Sequence, residues 1–366
     1  MNQQKISVIG CGLVGSLIAS ELSKKYHVTA IDNDDKKLSS IPQFRGNTLC
    51  LNVFENKNLE NAVEEAALVV LAVPGFMGFE ILKKLLEFGK NVVDISFFPE
   101  DAKELNEIAL TNNCFAIVDC GIAPGYSHMV AGRYSVQGMT SYKCYVGGLP
   151  FEQTPPFAYK APFSPVDVIE EYTRPARVVR NSKACVEPPL TDYELKEYTK
   201  VGILEAFVSD GLRSLIYSYP NMEEMIEKTL RYPGHLAAMK VLLDGGFLDD
   251  TGPSPTPLEF ISKLLFNQWK LNQDDDEFTF MSMELKGNTL DTTLNVFDRR
   301  DQKSGFSSMA RTTGFTCCAA VEEVMSNNFS DKGIIFPEKL GENENIFNRV
   351  TNYLTQRGIE IWEDKN

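Results

Sequence analysis

The stretch that decides the fold is residues 6–15, Ile6-Ser7-Val8-Ile9-Gly10-Cys11-Gly12-Leu13-Val14-Gly15. A largely apolar run that predicts a strand ends at three glycines spaced as G-x-G-x-x-G, and apolar residues at helical spacing follow. Gly10 permits a tight turn, Gly12 lets the backbone approach a pyrophosphate, and Gly15 lets helix and strand pack closely. The stretch therefore predicts a dinucleotide-binding unit.

A second predicted strand, His27 to Ile31, is followed at once by Asp32. A carboxylate at this place accepts hydrogen bonds from both ribose hydroxyls and repels a 2′-phosphate, so we expect NAD as the cofactor. NADP is the less favoured alternative, because the nearby Lys36 and Lys37 could accommodate a phosphate. A dinucleotide fold that binds a flavin, or nothing, is a further alternative.

Strands and helices keep alternating as far as Val118, which predicts an α/β fold with a doubly wound parallel sheet of the Rossmann type. Ligands of such sheets bind at the carboxyl ends of the strands, near the point where the strand order reverses. The predicted strands are 6–9, 27–31, 48–53, 68–72, 92–95 and 114–118, with helices at 13–23, 79–88 and 100–111. The predicted cofactor-binding residues are Gly10, Gly12, Leu13, Val14, Gly15, Asp32, Asn33, Val73, Pro74, Ser96, Ile122 and Pro124.

The second half of the chain changes character. Alternating apolar residues in 278–285 and 290–297 surround Gly287-Asn288, which predicts an antiparallel hairpin. With helices predicted at 206–217, 236–243 and 309–325, this half indicates an α+β domain built on a largely antiparallel sheet. We expect a Rossmann domain at 1–122, completed by C-terminal helices within 308–366, and a substrate and dimerisation domain at 123–307.

Composition excludes several classes of protein. A net charge of −14 over 366 residues argues against nucleic-acid binding through a basic surface. The clearest apolar run, Ala66 to Val73, is too short to span a membrane, and the N-terminus does not resemble a signal peptide. Scattered cysteines without a C-x-x-C pair, and three histidines without metal-ligand spacing, predict a cytoplasmic protein with reduced thiols and no metal site.

Further motifs follow the fingerprint in order along the chain. They are "DCGIAPGYSHM" from Asp119, "YVGGLP" from Tyr145, "SPVDVIEEYTRPARVVRNSK" from Ser164, "SDGLRS" from Ser209, "TLRYPGH" from Thr229 and "MARTTGF" from Met309. With these motifs the chain resembles the saccharopine dehydrogenase-like family, and within it the L-lysine 6-dehydrogenase branch. The resemblance implies a Rossmann domain, an α+β substrate domain, a dimer or higher oligomer, and NAD-dependent oxidation of an amine or the reverse reduction.

One position departs from part of that family. Where this chain has residues 121–129 of the "DCGIAPGYSHM" motif, saccharopine reductases typically have a pattern like G-L-D-P-G-I-D-H-M. The first Asp of that pattern corresponds to Ala123 and the second to Ser127. If the first Asp assists proton transfer in the reductases, Ala123 cannot. The departure favours the lysine 6-dehydrogenase branch.

Oxidation of an amine requires a general base near the nicotinamide, and an amino-acid carboxylate is best held by an Arg. Asp119 is the predicted base or ammonium ligand, His128 is the alternative base, and Lys160 is an acid, base or substrate contact suggested by the resemblance. Each has a structural alternative: a strand-end cap, a packing histidine or a surface lysine. The predicted substrate-binding residues are Arg231, Arg311, His235 and Tyr159, and for the arginines the alternative is a structural ion pair.

The leading hypothesis is NAD-dependent oxidation of the terminal amine of L-lysine or a close analogue, giving the semialdehyde and ammonia. A first alternative is an NAD(P)H-dependent reductase that joins an aldehyde and an amine, of the carboxynorspermidine or saccharopine type. A second alternative is a non-catalytic protein that senses NAD.

Overall fold

The computed structural model describes residues 4–161, 165–272, 274–326 and 329–365, and the chain divides into two compact units. Unit 1 comprises Met1–Gly132, Gln302–Phe306 and Ala310–Arg357. Unit 2 comprises Arg133–Asp301, Ser307–Met309 and Gly358–Asn366.

The chain alternates strands and helices through its first third and becomes richer in strands afterwards. The strands are β1 (Lys5–Ile9), β2 (His27–Asp32), β3 (Asn47–Cys50), β4 (Leu68–Leu71), β5 (Val92–Asp94), β6 (Phe115–Ile117), β7 (Met139–Pro150), β8 (Ala176–Arg180), β9 (Lys183–Glu187), β10 (Glu194–Tyr198), β11 (Gly202–Val208), β12 (Glu224–Arg231), β13 (Glu277–Gly287), β14 (Asp291–Arg299), β15 (Gly333–Ile335) and β16 (Glu360–Lys365). The helices are α1 (Leu13–Leu22), α2 (Asp35–Ser39), α3 (Asn56–Val63), α4 (Gly75–Glu87), α5 (Asn106–Thr111), α6 (Tyr126–Ser135), α7 (Pro165–Thr173), α8 (Leu215–Ser218), α9 (His235–Asp244), α10 (Pro257–Trp269), α11 (Ser308–Met325), α12 (Pro337–Glu342) and α13 (Glu344–Thr355), with a 3₁₀ helix at Ala102–Leu105.

Unit 1 is built on a seven-stranded sheet in the order β15-β6-β5-β4-β1-β2-β3, in which every pairing is parallel. All residues of the central strands β4 and β5 are buried, and all are apolar except Asp94, the last residue of β5. This burial is the pattern that helices on both faces of a parallel sheet impose. The order reverses between β1 and β4, so the carboxyl ends of these two strands mark the expected ligand crevice.

Unit 2 is built on a mostly antiparallel sheet in the order β10-β11-β12-β7-β13-β14-β16, and β8 and β9 extend it from β12. The pairing of β12 with β7 is parallel, and the others along this path are antiparallel. An aromatic-rich core that includes Tyr172, Phe207, Trp269 and Phe280 packs on this sheet. Helix α10 starts with a capping box, in which Thr256 and Glu259 satisfy each other's backbone N–H groups.

The predicted fold class is confirmed: a parallel Rossmann sheet is followed by a domain with a largely antiparallel sheet. The predicted hairpin around Gly287 is β13–β14. The predicted helix at 206–217 is wrong, because residues 206–208 end β11 and only Leu215–Ser218 form a helical turn. Residues 360–365 are also not helical: they form β16, which pairs with β14 in unit 2.

Within the part of the chain that the structure describes there is neither a membrane-spanning helix nor a group of side chains that could bind a metal ion. Among the described residues, no helix combines the length and apolar character needed to cross a bilayer. Over the same residues, no group of three or more His, Cys, Asp and Glu is placed to hold a metal ion.

Candidate functional site

The loop between β1 and α1 has the form of a cradle for a pyrophosphate. A Cβ on Gly15 would lie 1.9 Å from the carbonyl oxygen of Gly10, so only glycine permits this contact between helix and strand. A Cβ on Gly12, in contrast, would point into open space with no atom within 4 Å. Gly12 is also the N-cap residue of α1 and supplies no capping side chain. Open space beside the positive end of a helix fits a dinucleotide pyrophosphate.

Asp32, at the end of β2, is buried and is engaged by backbone donors. Its Oδ2 accepts a hydrogen bond from the Cys11 N–H at 2.7 Å, and its Oδ1 accepts one from the Asp34 N–H at 3.0 Å. The Lys37 Nζ lies 4.0 Å from the same Oδ1. Burial, followed by the charge of Asp32, raises the pKa of the Cys11 thiol to about 12, so this thiol is neutral at physiological pH. Through the hydrogen bond from the Cys11 N–H, the Asp32 carboxylate connects the glycine loop to the end of β2.

The ends of β4, β5 and β6 deliver the other predicted cofactor residues to one edge of the sheet. Pro74 precedes α4, and Ser96 donates its N–H to Asp94 Oδ1 at 3.1 Å, with its hydroxyl on the same oxygen. The Cys120 N–H donates to the Asp94 carbonyl at 2.9 Å, which joins the ends of β5 and β6. Asp119, which precedes Cys120, is 4% exposed and has a positive φ of 53°.

The segment after Asp119 is a closed turn, and a helix starts directly from it. The Tyr126 N–H donates to the Gly121 carbonyl at 2.9 Å, and the Ala123–Pro124 peptide bond is cis. His128 lies in the first turn of α6, 1% exposed, with its Nδ1 3.1 Å from the Ser127 hydroxyl. The structure thus places two of the three predicted acid or base residues, Asp119 and His128, in buried positions of unit 1 on either side of this turn.

Arg311 is also in unit 1. It donates from Nη2 to the Arg357 carbonyl at 2.7 Å, and its guanidinium lies over the Phe315 ring at 5.4 Å. Its role as a carboxylate ligand stays a prediction.

Three of the four predicted residues of unit 2 lie together. The Arg231 guanidinium, 2% exposed, is 4.4 Å from the centre of the Tyr159 ring, and the Tyr159 and His235 rings are 5.3 Å apart. The fourth, Lys160, donates to the Gln268 carbonyl at 3.3 Å. Ser164, with which one of the quoted motifs begins, lies outside the described residues.

Arg231 heads a hydrogen-bonded chain that also contains Glu171 and Tyr172. Its Nη2 pairs with Glu171 at 2.6 Å, its Nη1 donates to the Leu230 carbonyl at 2.9 Å, and its Nε donates to the Tyr172 hydroxyl at 3.0 Å. Burial raises the pKa of Glu171 while the Arg231 charge opposes the rise. These bonds use three of the five N–H donors of the guanidinium, so within the described residues one donor on Nη1 and one on Nη2 are left for a substrate carboxylate.

The series of hydrogen bonds that starts at Arg231 ends at His235. The two hydrogen-bond partners of the His235 ring determine which of its nitrogens carries the proton. Nδ1 lies 2.8 Å from the Phe157 carbonyl, which only accepts, so Nδ1 carries the proton. Nε2 then accepts from the Tyr172 hydroxyl at 3.0 Å. Burial, followed by the nearby Arg231 charge, lowers the pKa of His235 to about 3, so the ring is neutral. The Glu205 carboxylate accepts the N–H groups of Gly234 and Leu236 and so holds the start of α9.

Two buried polar atoms in this cluster make no hydrogen bond to any residue that the structure describes: the Tyr159 hydroxyl and the Trp269 Nε1. Their side chains are 4% and 1% exposed, and their rings meet edge to face at 5.2 Å. Sequence reasoning missed Glu171, Tyr172 and Trp269. The first two lie inside a quoted motif, and Trp269 is one of only two tryptophans, but no local pattern joins them to Arg231.

Two family models match residues 6–117 and 121–359 of the chain. The family model "Saccharopine dehydrogenase NADP binding domain" matches residues 6–117, and "Saccharopine dehydrogenase C-terminal domain" matches residues 121–359. Saccharopine dehydrogenase [NADP(+), L-glutamate-forming] of Schizosaccharomyces pombe is 22% identical over 98% of both chains. The mitochondrial alpha-aminoadipic semialdehyde synthase of Mus musculus is 25% identical over 68% of this chain and 29% of its own.

A solved structure supports the fold. Apo saccharopine dehydrogenase (L-Glu forming) from Saccharomyces cerevisiae superposes with a TM-score of 0.83 and covers 99% of this chain and 100% of its own, at 16% identity. These three relatives are named for saccharopine or semialdehyde chemistry, so the lysine 6-dehydrogenase branch stays a prediction.

The expected cofactor, NAD, is wrong. The N-terminal family model is an NADP-binding domain, and the relatives of Schizosaccharomyces pombe and Pyricularia oryzae are named for NADP. The expectation rested on Asp32 accepting the ribose hydroxyls; in the structure one lone pair on each of its oxygens is used by a backbone N–H group. The predicted enzyme class, an oxidoreductase acting on carbon–nitrogen bonds of amino acids, is confirmed, and the chain belongs to the saccharopine dehydrogenase family.

Proposed function

We propose that this chain is an NADP-dependent dehydrogenase that cleaves and forms the secondary amine of saccharopine or a close analogue. The observation that carries the proposal is the alignment over 98% of both chains with the NADP-dependent, L-glutamate-forming enzyme of Schizosaccharomyces pombe. The cradle at Gly12 supports it, because its open space and uncapped helix suit a dinucleotide.

In the oxidative direction the balanced reaction is R–CH₂–NH₂⁺–R′ + NADP⁺ + H₂O → R–CHO + R′–NH₃⁺ + NADPH + H⁺. The chemistry that NADP supplies when bound is acceptance of a hydride from the carbon beside nitrogen. The protein must first remove the proton from the secondary ammonium, and later it must guide water to the carbon–nitrogen double bond.

Asp119 and His128 are the proposed proton-transfer residues. Each is buried in unit 1, on either side of the turn that follows β6, and β6 ends at the carboxyl edge of the parallel sheet. Asp119 is the first choice, since a carboxylate can both attract the substrate ammonium and accept its proton. We expect Asp119→Asn to lower kcat by about a hundredfold or more.

The substrate carboxylates are assigned to unit 2. We propose that the Tyr159 hydroxyl donates to one of them, because it is buried and has no hydrogen-bond partner among the described residues. Arg231 contributes the positive charge behind this hydroxyl, with its guanidinium over the Tyr159 ring. Lys160 is proposed as a further substrate contact, and His235 positions the network as a neutral ring.

A second candidate is oxidation of the terminal amine of L-lysine: R–CH₂–NH₃⁺ + NADP⁺ + H₂O → R–CHO + NH₄⁺ + NADPH + H⁺. The observation in its favour is Ala123, which occupies the place where saccharopine reductases typically have Asp. A primary amine presents a smaller leaving group, ammonia, and needs no room for a second amino acid.

A substrate panel separates these candidates. Purified protein with NADP is given saccharopine or L-lysine, and protein with NADPH is given L-glutamate, alpha-aminoadipic semialdehyde, or both together. Turnover of saccharopine, and NADPH oxidation only when both partners are present, is the expected result. Turnover of lysine alone, with ammonia released, would establish the second candidate. Tight NADP binding without turnover across the panel would refute both and favour a sensing protein.

A further inference from the structure

We infer that Lys37 recognises the 2′-phosphate of NADP, and that Asp32 serves as an anchor of the glycine loop instead of a ligand of the ribose. The inference rests on the proposed use of NADP and assigns the cofactor preference to one side chain. It also explains how an acidic residue can end β2 in a chain whose relatives use NADP.

The Cys11 and Asp34 N–H groups occupy one lone pair on each carboxylate oxygen of Asp32, at 2.7 and 3.0 Å. The side chain is 8% exposed, so little of it faces the solvent where a ribose would lie. These hydrogen bonds leave the negative charge of the carboxylate in place, so binding of a phosphate here requires a cation that offsets it.

The cation beside Asp32 is Lys37. The Lys37 Nζ lies 4.0 Å from Asp32 Oδ1, close enough to offset the carboxylate charge, yet its side chain is half exposed and can turn toward a ligand. Since β2 ends at Asp32 and the adenosine ribose of a Rossmann fold binds beside that strand end, Lys37 stands where a 2′-phosphate would be. A dianionic phosphate is a far stronger partner for an ammonium group than a carboxylate already held by two N–H groups.

Lys37 differs from the neighbouring Lys36 in its contact with Asp32. Lys36 is also exposed and lies on the same short helix, α2, but the structure records no ion pair between it and Asp32. Consecutive residues on a helix point about 100° apart, so the two ammonium groups do not share a position. Lys36 is therefore a matched control for the charge of this helix.

The test is binding of NADP and NAD to the wild type and to Lys37→Ala, Lys36→Ala and Lys37→Arg, measured by isothermal titration calorimetry without substrate. We expect Lys37→Ala to weaken NADP binding by about tenfold or more and to leave NAD within about twofold. Lys36→Ala should change both cofactors equally, and Lys37→Arg should keep the preference, since Arg also binds phosphate. Thermal melts check that each variant is folded.

The outcomes separate this inference from the proposed function. If the wild type prefers NADP and Lys37→Ala keeps that preference, or Lys36→Ala lowers it equally, the role of Lys37 is overturned. The proposed cofactor, NADP, is not affected by this result. A wild type that binds NAD more tightly than NADP overturns the proposed cofactor itself. Loss of NADP preference in Lys37→Ala alone supports both.

Discussion

The neutral state of His235 predicts that unit 2 loses stability in mild acid. The ring donates from Nδ1 to the Phe157 carbonyl and accepts at Nε2 from Tyr172, which in turn accepts from the Arg231 guanidinium. Burial, followed by the charge of the nearby Arg231, lowers the pKa of His235 from 6.5 to about 3, since protonation would place a second cation beside Arg231 away from water. A base with a lower pKa in the folded state binds fewer protons there than in the unfolded chain. The free energy of unfolding therefore rises with pH between about 3 and 6.5.

The magnitude follows from these two pKa values. Between pH 7.5 and pH 5 the unfolded chain takes up the proton and the folded protein does not, which costs about 2 kcal/mol. The full difference, reached only near pH 3, is of the order of 5 kcal/mol. Two kcal/mol is a substantial part of the stability of an ordinary domain.

The assay is urea unfolding at pH 7.5 and pH 5, followed by tryptophan fluorescence. Both tryptophans of the chain, Trp269 and Trp362, lie in unit 2, so the signal reports that unit. His235→Gln should be less stable than the wild type at pH 7.5, but its stability should fall by about 2 kcal/mol less on acidification. His27→Gln, at an exposed histidine of β2, should keep the pH dependence of the wild type. Equal pH dependence in the wild type and His235→Gln would refute the buried neutral ring.

Three further predictions concern the cradle, the buried charge and one helix. Gly15→Ala should lower the melting temperature and NADP affinity together, because its Cβ meets a carbonyl oxygen at 1.9 Å; Gly12→Ala should leave the melting temperature unchanged and weaken only NADP binding, and calorimetry with thermal melts would show whether they differ. Arg231→Met should cost about 2–3 kcal/mol in urea unfolding, since it leaves the partly buried Glu171 carboxylate without its cation, and a loss below about 1 kcal/mol would contradict this. Thr256→Ala should cost about 1 kcal/mol by removing the cap of α10 without changing NADP affinity; a changed affinity would show that the helix does more than support unit 2.

Most of the parallel sheet could be predicted from the sequence, because β1, β4, β5 and β6 are short, largely apolar runs; its edge strand β15, Gly333–Ile335, was not predicted. The error at 206–217 has a different cause. Residues 206–208 are as apolar as a helix face, and they become a strand through pairing with β10 and β12, of which β12 lies some twenty residues further along the chain. Partners in sequence-distant strands leave no local periodicity.

The candidate site divides in the same way. Tyr159, Arg231 and His235 could be predicted as site residues from their residue types and motifs. The residue that connects Arg231 to His235, Tyr172, could not be predicted in this way. Tyr172 links Arg231 to His235 across about sixty residues of chain, and Trp269 completes the aromatic cluster from still further along. Which arginine donors remain for a ligand depends on these contacts, so the assignment of substrate carboxylates rests on Tyr159 as much as on Arg231.

Asp32 shows why residue identity alone misjudged the cofactor. An acid at the end of β2 repels a 2′-phosphate unless a nearby cation offsets its charge. Here the loop that the glycines shape turns the Cys11 N–H onto one oxygen, and the next turn places the Asp34 N–H on the other. The same geometry brings Lys37 within 4.0 Å of the carboxylate. Cofactor preference in such a site therefore depends on which groups remain available after the loop has folded, and the Lys37→Ala measurement asks that question directly.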